Sequence, residues 1–270
     1  MAFKNLLLTF GGMTAFESSL AHAVKLADHY NGWLTCVFPK GPSFLERHGG
    51  GLDANVREML RDASNNEFQI VEQKFKAAVK EAGMSDRGEF LGPDQVGNIH
   101  SGELARHFDM VITGLQAGDE QADNPDMLAL TSGRPVLVVP PEYRSKGLAE
   151  HALVAWDGKR SAARAIGDAM GVLEQKGRVT VLTIGNREPA VQVESRIVTH
   201  LERHGIETRH IHMSGHGKSI AAQIEDTADE IDAKLIVMGA YEHSKFSQDL
   251  IGGVTHEVLR TARVPVFMAH

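Results

Sequence analysis

The sequence predicts an α/β protein of two tandem open-sheet domains, each a five-stranded parallel sheet with helices on both faces. Three observations carry that expectation. The 270-residue chain repeats itself: DMVITG at 109–114 returns as KLIVMG at 234–239, RPVLVVP at 134–140 as VPVFMAH at 264–270, and NLLLTFGG at 5–12 as ALVAWDGK at 152–159. Within each copy, short apolar runs alternate with segments whose apolar residues recur every three or four positions, the pattern of strands separated by amphipathic helices. Such alternation builds a parallel sheet, because parallel neighbours need a crossover connection and the crossovers cover the faces.

The second copy is the clearer. Strand 152–156 precedes a helix with Ala162, Ala165, Ile166, Ala169, Met170 and Leu173 on one face. Strand 179–184 follows, then a helix near 190–204 with Val193, Ile197 and Leu201 four apart. Strand 207–213, a helix carrying Ile220, Ile224 and Ala228, strand 235–239, a helix over 254–262 and strand 264–269 complete it. The first copy opens with a helix whose Thr14 and Glu17 have capping-box spacing. After strand 33–38 it adds a Gly/Pro/His-rich loop and a long helical pattern through Val56, Leu60, Ala63, Val71, Phe75 and Val79, closed by Gly83. The polar stretch PEYRSKGLAE at 141–150 lacks periodicity and joins the copies, so the domains are 1–142 and 150–270.

Composition narrows the function. With 28 Lys+Arg against 35 Asp+Glu, a net charge of −7, the chain lacks the basic balance of a nucleic-acid binder. Its apolar runs fall far short of the roughly 20 residues that span a bilayer. The N-terminal run ends at Gly11-Gly12, too early for a signal-peptide core, and Cys36 is the sole cysteine, so a reducing, cytoplasmic location is expected.

In an open parallel sheet, ligands sit beyond the carboxyl ends of the strands. In the second copy those ends are Asp157, Ile184 to Asn186, Ser214 to Ser219, and the loop GAYEHSKFSQDLIGGVTHEVL from Gly239. Gly252 and Gly253 stand immediately before the helix that begins at Val254, and the free N–H groups of a helix start attract anions, phosphate above all.

VAWDG after the first strand and the stretch VMGAYEHSKFSQDLIGGVTHEVLRTARVPVFM resemble the universal stress protein family. Both copies fit, so the chain resembles a tandem member with two fused, Rossmann-like domains of the adenine nucleotide alpha hydrolase-like type. The family's phosphate pattern is Gly, two residues, Gly, nine residues, Gly, then Ser or Thr. Here those positions hold Gly239, Glu242, Gly252 and Gly253: a carboxylate replaces one glycine and the terminal hydroxyl is gone. His243, Ser244, Lys245 and Thr255 supply donors nearby. The resemblance implies that Asp157 meets the adenosine, that Ile184 lines the adenine slot, and that the ligand is ATP or AMP, with Mg. It also implies a stress-response role, protein partners, pairing through the last strands 135–139 and 264–269 as an internal pseudo-dimer, and homodimer formation. The first copy is degenerate: Phe10 is aligned with Asp157, and the span from Gly114 to Pro135 is five residues shorter than that from Gly239 to Pro265. The alternative, favoured by Glu242 and Gly253, is a stress-related interaction module that binds no nucleotide.

Other motifs carry less. GHGKS at 215–219 would need glycine rather than His212 to be a P-loop; Ser219 reads as a helix N-cap, with Lys218 beside the cleft. His200 and His204 share a helix face, and His210 and His212 a strand face, but no carboxylate or cysteine completes a metal spacing. There is no G-x-S-x-G elbow, and Cys36 lies in an apolar strand, so no catalytic constellation is expected, at most slow ATP hydrolysis.

Overall fold

The computed structural model describes residues 3–38, 53–97, 99–115, 124–144, 150–185, 191–215, 217–241 and 253–270. The apolar runs become strands and the periodic segments become helices, in the order β1 (Asn5–Thr9), α1 (Met13–His29), β2 (Trp33–Val37), α2 (Ala54–Glu81), β3 (Gly88–Leu91), α3 (Pro93–Val96), α4 (Ser101–Leu104), β4 (Met110–Gly114), α5 (Pro125–Ser132) and β5 (Val136–Val139) in the first half. The second half runs β6 (Ala152–Ala155), α6 (Arg160–Leu173), β7 (Val179–Ile184), α7 (Val191–Arg203), β8 (Thr208–Met213), α8 (Ile220–Glu230), β9 (Leu235–Gly239), α9 (Val254–Thr261) and β10 (Val266–Ala269).

All the described strands lie in one ten-stranded sheet, ordered β3-β2-β1-β4-β5-β10-β9-β6-β7-β8. Each half contributes five parallel strands, and the halves meet where β5 and β10 run antiparallel, with Leu137 opposite Phe267. The expected neighbourhood of the two last strands is therefore present, and it covers two edges that would otherwise expose unpaired apolar backbone. One core packs α1, α2, α6 and α7 on one face through Phe16, Phe75, Ile166 and Leu201. The other face carries the short helices of the first half with α8 and α9, through Leu128, Ile224 and Val258.

Two local expectations are corrected. No capping box forms at α1: the N-cap is Gly12, at φ 109, with no side-chain cap. Thr14 is exposed within the first turn, and Glu17 instead pairs with Lys74 of α2. The correspondence between the copies also moves by one residue. Ladder partners Leu6–Met110 and Ala152–Leu235 align β1 with β6 so that Trp156 matches Phe10, and Gly11 matches Asp157. Wholly buried parallel strands show no in-out alternation, so sequence identity alone leaves a one-residue slip undetected.

Candidate functional site

The carboxyl end of the second half-sheet is built around β6, which lies between β9 and β7. Ala155 pairs with Met238 on one side and Leu182 on the other, so the chain beyond it emerges between Ala240 and Ile184. Trp156 continues the ladder through its N–H to the Leu182 carbonyl at 2.8 Å and packs against the core. Asp157 is the first residue free of the ladder. Gly158, at φ 75, turns the chain there, and an Asp157 carboxylate oxygen accepts the Lys159 backbone N–H at 3.0 Å, with the Lys159 ammonium 3.9 Å away. The Asp157 side chain remains 52% exposed, so its carboxylate faces solvent beside the sheet crest.

Ile184 ends β7, half-buried and paired with Met213. Gly239 ends β9. A β-carbon there would lie 2.5 Å from both the Ser161 hydroxyl oxygen and the Ala162 backbone nitrogen, so this glycine lets α6 sit directly on the strand end. Gly114 plays the same part under Ala15, at 2.5 Å. The first motif glycine thus has a packing reason of its own, independent of phosphate.

Gly253 is the N-cap of α9, in extended conformation at φ −73 and ψ 165, with open space where a side chain would go. Val254 begins the helix half-buried, whereas Thr255 is buried, 5% exposed. The first turn of α9 also carries Glu257, whose carboxylate accepts the Ser219 hydroxyl at 2.6 Å. That carboxylate already lies at the positive end of the helix and competes with any anion there. His243, Ser244, Lys245 and Gly252, with Glu242, fall outside the described residues.

A contact that sequence reasoning missed ties this region to the first half. Asp126, in the first turn of α5, lies 3.4 Å from His256 Nδ1 of α9. Tyr241, two residues beyond Gly239, stands against the same carboxylate: burial first, then its hydrogen bond to Asp126, pushes the phenol above its ordinary value. Tyr241 sits at φ 40, an uncommon backbone for a non-glycine residue. Residues 126 and 256 are 130 positions apart, and no local pattern marks them. The signal available was indirect: pairing β5 with β10 brings the helices that precede them together.

At the corresponding strand end of the first half, Phe10, the counterpart of Trp156, is buried in an aromatic stack. Phe10 lies 4.7 Å from Phe38 and 5.8 Å from Phe16, ring to ring, and Phe38 continues to Phe68 of α2 at 5.7 Å. The long α2, N-capped by Asp53, supplies the residue that closes the stack, and Gly92 makes room for it.

The remaining motifs resolve into local structure. Ser219 caps α8, accepting the Ala222 N–H at 3.2 Å, and Lys218 pairs with Asp226 of the same helix. His210 Nε2 and His212 Nδ1 each lie 3.0 Å from the Thr183 hydroxyl, while His204 lies against Glu174. Among the described residues no group of His, Cys, Asp or Glu could hold a metal ion, and no helix is long and apolar enough to cross a membrane.

Comparison with known proteins follows the same lines. The profile of the universal stress protein family matches residues 149–270. A universal stress protein of Synechocystis sp. is 24% identical over 291 aligned residues, which cover 97% of this chain and 98% of that one. Among solved structures, a universal stress protein from Archaeoglobus fulgidus superposes with TM-score 0.74 at 17% identity, covering 98% of this chain and 96% of its own. A Pseudomonas aeruginosa protein named for the same family gives TM-score 0.60, also at 17% identity, with coverages of 99% and 93%. Residues 149–270 therefore carry a domain of the universal stress protein family, and the same fold is repeated before it.

Proposed function

We propose that this protein is a stress-response protein with one adenine-nucleotide site per chain, in the second half, and that the first half is its structural partner. The observation that carries the reading is Asp157: a half-exposed carboxylate at the open end of β6, the middle strand of its half, held among the described residues by its own turn and Lys159. A carboxylate so placed accepts hydrogen bonds from a ribose or an adenine amino group at little desolvation cost. The adenosine end of ATP or AMP fits Asp157 and Ile184. The phosphates would lie toward Gly239 and the α9 start at Gly253, Val254 and Thr255, with His243, Ser244, Lys245 and Gly252 of the intervening sequence as further donors and Mg to offset their charge. The first half has Gly11 where the second has Asp157, which supports a single site.

A second reading, an interaction module without nucleotide, is favoured by Glu257, which already supplies the α9 start with negative charge. Two measurements separate them. Protein purified without added nucleotide is denatured and the supernatant assayed for ATP and AMP, and the melting temperature is followed with millimolar Mg-ATP. The proposal expects released nucleotide or a rise in melting temperature, since a ligand of the native state stabilises it. An empty protein with an unmoved transition supports the interaction module.

A further inference from the structure

On the face covered by α1 and α6, the two halves enclose a second crevice, beside the amino-terminal end of β9. His22 and Leu26 of α1 line it with Tyr143, Glu150, Lys176 and Phe267. Its free space is about 20 Å³, room for a guest the size of one or two water molecules.

Two groups there lack the partners that burial demands. Lys176, just past the end of α6, is half-buried, and among the described residues no carboxylate comes within 4.0 Å of its ammonium. Burial holds its pKa down at about 8, with Glu150 opposing. His22 is 9% exposed, and its Nδ1 has no hydrogen-bond partner among the described residues. Burial, and next the charges of Lys176 and Lys25, hold its pKa down at about 4. His22 is therefore neutral at pH 7, with one ring nitrogen to donate and one to accept. The other ionisable groups facing Lys176 are Glu150, Tyr143, whose hydroxyl donates to the Lys234 carbonyl at 3.3 Å, and Lys234, which pairs with Asp232.

We propose that Lys176 is a carbamylation site, its amine taking up CO2 in the crevice between the halves and the resulting carbamate accepting a hydrogen bond from His22. The step is redox-neutral. The Nζ lone pair forms a bond to the CO2 carbon, one C=O π pair moves onto oxygen, and the displaced proton leaves to solvent, giving R–NH–COO⁻ and H⁺ from R–NH₂ and CO2. The small free volume selects a triatomic electrophile over bulkier acyl donors. The apolar walls, with Leu26 and Phe267 among them, favour an unhydrated gas over bicarbonate. One modification thereby answers both unpaired groups, and it replaces a positive charge beside His22 with a negative one.

The test uses the intact protein equilibrated with ¹³C-labelled CO2 at pH 8, trapped by ethylation of carbamates with a trialkyloxonium salt and mapped by mass spectrometry. Lys176 is expected to carry about tenfold more label than the exposed Lys76 and Lys80, because far more of its amine is unprotonated. Urea unfolding should erase the excess, Glu150→Gln should raise it, and His22→Leu should lower it while His22→Gln retains it. As an independent readout, the His22 ring resonances should titrate at higher pH under CO2 than under argon. Label on Lys176 no greater than on Lys76 and Lys80, or an excess that survives unfolding, overturns the proposal.

Discussion

Gly239 at the end of β9 and Ser161 in the first turn of α6 touch so closely that a β-carbon on the glycine would lie 2.5 Å from the serine hydroxyl oxygen. The Ala162 nitrogen lies at the same distance, and backbone cannot swing aside as a side chain can. Gly239→Ala should destabilise the ligand-free protein by about 2–3 kcal/mol, the cost of overpacking a closed contact. Urea denaturation without nucleotide checks this. A glycine serving phosphate alone would leave the midpoint unchanged.

Gly253 behaves in the opposite way, because the space beside it is open and its backbone suits any residue. Gly253→Ser should raise stability by a few tenths of a kcal/mol, the difference between serine and glycine at an N-cap. Restoring the family's hydroxyl should also tighten Mg-ATP binding by roughly tenfold, as a hydrogen bond to a charged group does. Glu242→Gly should add to this, with a larger gain at low salt, where charge repulsion is least screened. Calorimetric titration at two ionic strengths measures both effects.

His22 makes the fold sensitive to acid. Its pKa in the folded protein is held at about 4, mainly by burial, below the ordinary 6.5. Between those values the unfolded chain binds more protons, so stability is fully present above about pH 6.5 and is lost as pH falls toward 4. The loss is on the order of 3 kcal/mol. His22→Leu should flatten that part of the stability–pH curve measured by urea denaturation. Lys176 acts at the other end. Its folded value near 8 lies below the ordinary 10.5, so stability should rise as pH climbs through that interval.

The halves are also pinned by Tyr30, the C-cap of α1, whose buried hydroxyl donates to the Gly171 carbonyl of α6 at 2.7 Å. Burial, and next the Glu174 carboxylate, push the phenol up to about 12. Tyr30→Phe should cost about 1 kcal/mol, the usual net worth of such a bond. It should also remove from an ultraviolet titration a phenol that ionises near pH 12.

Much of this architecture was legible in the sequence, and the reasons are physical. The repeat and the alternation of strand and helix follow from apolar periodicity; the pairing of the two last strands was implied by the family resemblance, and the need to cover apolar edges is its physical reason. Ser219 was readable as a cap because capping is local. The match of Phe10 to Asp157 was not, since strands buried on both faces carry no alternation to fix their register; β-ladder partners place Trp156 opposite Phe10 instead. Sequence likewise assigned Gly239 to phosphate when packing against Ser161 already requires it. The Asp126–His256–Tyr241 contact and the His22–Lys176 crevice depend on how the halves dock, which no short-range pattern encodes.

The central claim is one nucleotide site per chain, carried by the second half. Equilibrium dialysis with labelled Mg-ATP tests it most directly, on the unaltered protein, Asp157→Ala and Phe10→Leu. The account predicts one ATP per chain, binding weakened at least tenfold by Asp157→Ala with the unfolding midpoint unchanged, and no effect of Phe10→Leu on stoichiometry. Two sites per chain, binding that survives Asp157→Ala, or no binding at millimolar Mg-ATP would contradict it.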